Sequence, residues 1–504
     1  MLSNKFSFLR FLVILLLILA LSATLAIASC TSIVVGKDAS IDGSILCSKN
    51  EDQNTEACQQ INRVERVLHE PGTMWTLQSG RQVPNVPIEW AYVQYNSDFV
   101  NPEVRYHYVT YNPVFVNEWG VACGDDAGTM REELGEEFPE AGVYAPEMKY
   151  IFATRGKTAR ESILAAGEFV DNFGFGKTGE GSRRADGAMY WVADPNEAWW
   201  MEVTTGKHWV AQRCPDNAIM FRANSFRIGE VDLSNTENFL GSADLSTYAQ
   251  EKGWWNPAEG PFNWAEAYGK QSSLEAESNT LRELMGLKTF APSLGITELD
   301  YTKFPESMIF VPDKKVSKED LMAFHRTHYE GTEYDISEGN DPHNTGKRVI
   351  CTNSSVSASV IQLRSWLPLE VGAVIWRSQH WPCLSIYTPW YLGITDSPAT
   401  IKEGKDQYDD DLVWWRSRLL AMVARNNYKK LYPIIRSVWD PIEKRMLDAQ
   451  INIEVKAMQL YDRVGVDAAR EFLTEYCASN ILEVYDKYGE LLKQCITINA
   501  VDGK

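Results

Sequence analysis

The chain has 504 residues, 44% of them apolar, with 17 Trp, 22 Tyr and 19 Phe, which supplies a large buried core and argues against disorder. A formal net charge of −19 argues against nucleic acid or an anionic membrane surface as a partner, without identifying a cationic substrate. No internal repeat, low-complexity tract or Gly/Ser linker divides the chain.

Residues 1–29 have the layout of a secretory signal peptide. Lys5 and Arg10 form a basic start, residues 11–27 are nearly all apolar, and small residues follow in Ala26-Ile27-Ala28-Ser29. The apolar run is slightly short for a membrane span and no charged stop-transfer cluster follows. An exported chain, periplasmic or extracellular, is therefore expected, with no stable membrane span. Nine cysteines stand at 30, 47, 58, 123, 214, 351, 383, 477 and 495. An odd number leaves one thiol unpaired in an exported chain, and spacing assigns no disulfide among the others. No CxxC pair or usual Cys/His ligand spacing occurs, so no metal site is expected.

After the leader, Cys30-Thr31-Ser32-Ile33-Val34-Val35-Gly36 is a short β-rich run. Asp42-Gly43 carries turn chemistry, and Ser44-Ile45-Leu46-Cys47 resumes a strand into Lys49-Asn50-Glu51-Asp52. This pattern predicts a hairpin that returns residues 50–52 beside Cys30. Tyr106-His107-Tyr108-Val109-Thr110 predicts a strand, and residues 158–173 a helix. Strands at 189–193, 198–203, 208–211 and 218–221 suggest an antiparallel meander. Ser317-Lys318-Glu319-Asp320 resembles a capping box opening a helix over 321–328. Roughly the last sixty residues are helical by period, with Leu473, Tyr476, Cys477, Ile481, Val484, Tyr485 and Tyr488 on one face. The expected class is α+β, sheets covered by helices.

Signal cleavage before Cys30 would make it residue one. An N-terminal cysteine carries its own base, because an α-amine of pKa near ~8 lies within reach of the thiol. That amine can take the thiol proton and later give it to a leaving amine. The same residues also pass as a loose lipobox, in which Cys30 is lipidated and catalytically dead. An apolar strand beginning three residues later argues against a membrane tether.

Cys30-Thr31-Ser32-Ile33-Val34-Val35-Gly36, Asp42-Gly43-Ser44 and Asn50-Glu51-Asp52 resemble the opening of the C69 dipeptidases, N-terminal-nucleophile hydrolases related to penicillin V acylase and bile-salt hydrolase. Val116-Asn117-Glu118-Trp119-Gly120, Ala193-Asp194-Pro195-Asn196, Arg222-Ala223-Asn224-Ser225 and the run from Arg348 to Tyr391 extend the resemblance over most of the mature chain. It implies an αββα sandwich of two antiparallel sheets between helical layers over residues 30–441, with a helical extension over 442–504 packed on the same domain or against a second subunit. It implies an exported dipeptidase with Cys30 as nucleophile, Asp52 orienting the amine, and Asn117 and Asn224 shaping the oxyanion hole. Lys49 stands where these enzymes often carry an arginine beside the nucleophile, and Arg364 is the nearest match to an arginine placed late in the domain. Asp125 or Asp126 is expected to bind the ammonium of a small peptide substrate. No metal or organic cofactor is called for. The rival readings are an amidase of N-acyl amino acids or bile-salt-like conjugates, and a lipid-anchored binding protein. His325 and His328, one turn apart on the expected helix, lack an apparent third ligand and read as packing histidines. Glu132-Glu133, Glu136-Glu137 and Asp409-Asp410-Asp411 read as solvated acidic loops.

Overall fold

The computed structural model describes residues 30–52, 58–96, 114–137, 142–176, 186–303, 307–337, 341–402, 404 and 407–503. The expected leader and the strand expected at 106–110 lie outside the described residues.

β1 (Thr31–Val35) and β2 (Ile45–Asp52) form the expected hairpin, with Thr31 opposite Asn50 and Val35 opposite Leu46. Its turn passes through Gly43 at φ +85, where a side chain would be strained. Asp42 Oδ1 accepts from the Ser44 amide at 3.1 Å, fixing the turn locally. β3 (Gln60–Val64), β4 (Tyr92–Asn96), β5 (Val114–Asn117) and β6 (Ala122–Thr129) follow. Next come α1 (Ala145–Arg155) and α2 (Ala159–Phe173), the latter capped by the Thr158 hydroxyl, which accepts from the Glu161 amide. β7 (Asp186–Ala193), β8 (Ala198–Val203), β9 (Trp209–Arg213), β10 (Ile219–Arg222) and β11 (Phe239–Gly241) lead to α3 (Glu277–Phe290). β12 (Ile309–Phe310), α4 (Lys318–Phe324), β13 (Ser355–Leu363), β14 (Ala373–Gln379) and β15 (Tyr387–Tyr391) precede the closing helices. These are α5 (Val413–Arg425), α6 (Tyr428–Arg463) and α7 (Val466–Asp502).

One antiparallel sheet has the order β12-β10-β1-β2-β13-β14-β15, and the other β11-β9-β8-β7-β6-β5-β4-β3. Val34 and Cys47 of the first share a buried cluster with Met189, Trp191 and Trp200 of the second. On the second sheet, strand alternation sends Tyr190, Val192, Trp199 and Met201 to the opposite face, where they meet Met148, Ile151, Ile163 and Val170 of α1 and α2. Helices α5, α6 and α7 pack on β14 and β15 of the first sheet.

Three local readings need correction. β7, β8 and β9 do pair in sequence, but β10 leaves the meander and pairs with β1. A period-2 pattern declares a strand without naming its neighbour. The helix opened by the Ser317–Asp320 capping box stops at Phe324, with His325 as C-cap, and the chain turns through Tyr329 at φ 65 instead of continuing to His328. Finally, α6 runs without a break through the expected 441/442 boundary, with Pro433 and Pro441 inside it. On α7 the expected face is buried at Leu473, Cys477, Ile481, Val484 and Tyr488, with Tyr476 and Tyr485 partly covered. No helix among the described residues is long and apolar enough to cross a membrane, and all nine cysteines are free thiols.

Candidate active site

The β1–β2 register decides what surrounds Cys30. Ser32 pairs with Lys49 and Thr31 with Asn50, so one further step sets Cys30 against Glu51. Alternation puts Lys49 and Glu51 on one face of β2, and Asn50 and Asp52 on the other. On the first face Cys30 Sγ lies 3.7 Å from Glu51 Oε1, and Lys49 Nζ lies 2.8 Å from Glu51 Oε2. Lys49 also reaches across to the second sheet, 3.2 Å from Asp125 Oδ1 on β6. Lys149 of α1 holds Asp125 Oδ2 at the same 3.2 Å. Gly124, the neighbour of Asp125 on β6, leaves room for the ring of Trp191 on the adjacent strand β7; a Cβ there would meet it at 2.5 Å.

Cys30 is 2% exposed. Burial pushes its thiol well above the ordinary value, Glu51 adds to the effect, and Lys49 opposes it. Lys49 is held charged: burial works against the cation, but Cys30, Glu51, Asp125 and Asp126 outweigh it. For Asp125 burial acts upward, yet Lys149 and Lys49 hold the carboxyl below the usual range. Asp126 behaves differently. Burial raises it to about 7 against the pull of Lys49, and the Ser32 hydroxyl is close enough to favour the charged form. Its two oxygens nevertheless make no well-formed hydrogen bond.

On the other face, Asp52 accepts from the Ser355 hydroxyl at 2.6 Å and from Arg348. Burial raises its carboxyl to about 6 in spite of Arg348, Ser355 and Arg282. Asn50 donates to the carbonyls of His325 (3.1 Å) and Ile350 (2.8 Å), fastening the α4–β13 connection to the strand. Arg282, fully buried on α3, donates from Nη1 to the Cys30 carbonyl at 2.6 Å and to Thr31 Oγ1 at 3.2 Å. From Nη2 it donates to Asn224 Oδ1 at 2.9 Å and Asn279 Oδ1 at 2.8 Å. Burial, reinforced by Arg348, lowers the guanidinium to about 9. Asn224 Nδ2 in turn donates to the Ala127 carbonyl at 3.0 Å, so Asn224 links α3 to β6 beside Cys30.

Cys30, Lys49, Asp52, Asp125, Asp126 and Asn224 are thus brought together, and two expected site residues are not. Asn117 donates both amide hydrogens, to the carbonyls of Ala153 and Gly156 at 3.0 Å, and its oxygen accepts from the amides of Trp119 and Val121. It holds the β5–β6 turn and has no N–H left for an oxyanion. Arg364 lies just beyond β13, five positions past Ser359, the residue opposite Lys49, or roughly 17 Å along a strand. There it binds Glu454 of α6 through contacts of 2.6 and 2.7 Å and donates to the carbonyls of Val371 and Gly372. Arg282, Arg348, Glu51 and Lys149 belong to the site and were not singled out from the sequence. Glu51 alone had a signal, the hairpin register that sets it opposite Cys30.

A model of peptidase family C69 matches residues 29–440. A probable dipeptidase of Latilactobacillus sakei is 25% identical over 406 residues, covering 80% of this chain and 82% of its own. Probable dipeptidase A of Streptococcus pyogenes serotype M1 is 26% identical over 418 residues, covering 79% and 82%. Probable dipeptidase B of the same serotype is 25% identical over 471 residues, covering 88% and 90%. With its family match running from the residue before Cys30 through the last strand of both sheets and into α6, the chain belongs to peptidase family C69.

Proposed function

We propose that this peptidase is an exported dipeptidase of the N-terminal-nucleophile class, that residues 1–29 are removed, and that Cys30 then acts with its own amine. The observation that carries the reading is the placement of Cys30. It sits at the head of a central strand, with its carbonyl gripped by Arg282 and its thiol facing the Glu51–Lys49 pair. The hairpin register, extended two steps beyond the Thr31–Asn50 pair, sets Asp52 opposite the position preceding Cys30, where a freed amine would lie. A carboxylate there orients and stabilises the ammonium. The arrangement of two antiparallel sheets with helices packed on each also supports the αββα architecture of that class.

In the proposed cycle the amine takes the Sγ proton and the thiolate attacks the peptide carbonyl. Lys49 offsets the negative charge that burial would otherwise penalise. Asn224, held by Arg282, positions the oxyanion. The ammonium then gives its proton to the departing amino acid, leaving a thioester on Cys30. Finally the amine activates water, which cleaves the thioester and restores the thiol. Asp126 is assigned to the substrate ammonium, because Asp125 is already neutralised by Lys49 and Lys149 whereas Asp126 lacks a well-formed partner. Burial of Cys30 at the head of β1 counts against a lipid anchor on its sulfur.

The test is a panel of dipeptides and N-acyl amino acids offered to the wild-type protein and to Cys30→Ala. Turnover of dipeptides that Cys30→Ala abolishes supports the reading. Turnover confined to acyl amides would move the substrate class, and dipeptide turnover surviving in Cys30→Ala would remove the nucleophile.

A further inference from the structure

Between His325 and Ser354 the described residues form no helix or strand. Irregular connections of that length are uncommon in a compact fold unless something organises them. Here the organising feature is chemical. His328, His343 and Cys351 of this connection meet Cys383, which lies in the short 3-10 turn Pro382–Leu384 between β14 and β15. One donor atom from each falls within 4.8 Å of all the others. His343 Nε2 lies 3.2 Å from His328 Nε2, 3.6 Å from Cys351 Sγ and 3.4 Å from Cys383 Sγ. All four side chains are buried, at 6% exposure or less.

We propose that His328, His343, Cys351 and Cys383 bind one Zn2+ in a closed tetrahedral site that clamps the α4–β13 connection to the β14–β15 turn. Zinc bonds of about 2.0–2.1 Å to nitrogen and about 2.3 Å to sulfur set tetrahedral donors ~3.3–3.8 Å apart. The separations from His343 Nε2 to the two sulfurs fall in that range, and that to His328 Nε2 lies just below it. Each imidazole also has a carboxylate at its far nitrogen, as histidine ligands of zinc usually do. Glu330 Oε1 lies 3.2 Å from His328 Nδ1, and Asp341 Oδ1 lies 3.5 Å from His343 Nδ1. Asp341 is itself held by Arg425 Nε at 3.1 Å. Trp381 stacks on His343 with ring centroids 3.7 Å apart, and Tyr428 meets both histidines edge-on, giving dry walls. Binding exchanges the two thiol protons for the cation: both protons leave to solvent, and two thiolates, two neutral imidazoles and Zn2+ make a neutral complex suited to burial. With four protein donors the site keeps no open position, so its role is structural. The clamped connection also carries Arg348 and Ile350, which bind Asp52 and Asn50, so the metal would steady the candidate active site from behind.

The test measures metal directly, without reference to peptidase activity. Full-length protein expressed with added zinc is assayed by elemental mass spectrometry, alongside Cys383→Ser, His343→Ala and the remote control Cys495→Ala. About one zinc per chain is expected in wild type and Cys495→Ala, and loss of it in the other two. Because ligand variants can misfold, X-ray absorption of the wild type gives a second measurement, expected to show two sulfur and two nitrogen ligands. Absence of stoichiometric zinc, a stoichiometric iron or copper in its place, absorption without sulfur ligation, or a Cys351–Cys383 disulfide found by peptide mass mapping would each overturn the proposal.

Discussion

Replacing Arg282 by lysine keeps the charge and removes the planar fork. The guanidinium serves acceptors in several directions at once: the Ser278 carbonyl from Nε, Cys30 O and Thr31 Oγ1 from Nη1, and Asn224 Oδ1 and Asn279 Oδ1 from Nη2. A compact ammonium cannot span that set. Losing roughly two hydrogen bonds from a buried cation, at about 1.5 kcal/mol each or somewhat more, costs about 3 kcal/mol. With about 2.1 cal/mol/K per residue over about 475 residues, the unfolding entropy near the midpoint is roughly 1 kcal/mol/K, so Tm should fall by ~3 °C. The kinetic effect should exceed the thermal one. The lost bonds fix the backbone of Cys30, the proposed nucleophile, and a misplacement of about 1 Å commonly costs ~100-fold in rate. Arg282→Lys is therefore expected to lower kcat for a good dipeptide ~100-fold while KM moves less than about threefold. The assay is steady-state turnover with calorimetry on the same sample. A variant with kcat within about threefold of wild type and an unchanged Tm would refute the claim that Arg282 positions Cys30.

Asp126 titrates near pH 7 in the folded chain, against an ordinary carboxyl value of 3.8. A raised folded pKa means that its contribution to stability is full below about pH 4 and is lost as pH rises through about 7. Asp126→Asn should therefore match wild-type Tm at pH 4 and exceed it at pH 8, by a few kcal/mol of stability, while KM for dipeptides rises. Equal Tm values at pH 8 would show that the carboxylate is not strained by burial. Arg364→Met should cost about 3–5 kcal/mol by leaving the buried Glu454 carboxylate without its cation, and adding Glu454→Met should restore most of that. A KM change specific to Arg364→Met at constant stability would return Arg364 to the substrate site. Asn117→Ala should lower stability by ~2–4 kcal/mol through the turn it holds, with kcat of the folded fraction unchanged. A large loss of kcat without loss of stability would reinstate it as an oxyanion donor.

What the sequence revealed was set by local chemistry. The β1–β2 hairpin could be read from Asp42-Gly43 and the flanking alternation, and it brought residues 50–52 back beside Cys30 without any knowledge of the fold. The Ser317–Asp320 box located a helix start for the same reason. Long-range partners were hidden. Arg282 lies 252 residues from Cys30, and its helix pattern gives no hint of which face meets β1. Arg364 was the nearest match to the late arginine that the resemblance implies, and it lies with Glu454 instead of near Cys30. Arg348, which actually meets Asp52, lies in an aperiodic stretch where register cannot be counted. The Cys/His cluster was invisible for a similar reason: His343 is 15 residues from His328, 8 from Cys351 and 40 from Cys383, a spacing that matches no familiar ligand motif.

The proposed mechanism depends on a free amine at Cys30, and intact mass with N-terminal sequencing of the active protein reads that most directly. The chain is expected to begin at Cys30 with an unmodified amine and thiol, and activity should track the fraction so processed. A fully active preparation that retains Ser29, or that carries acyl groups on Cys30, would contradict it.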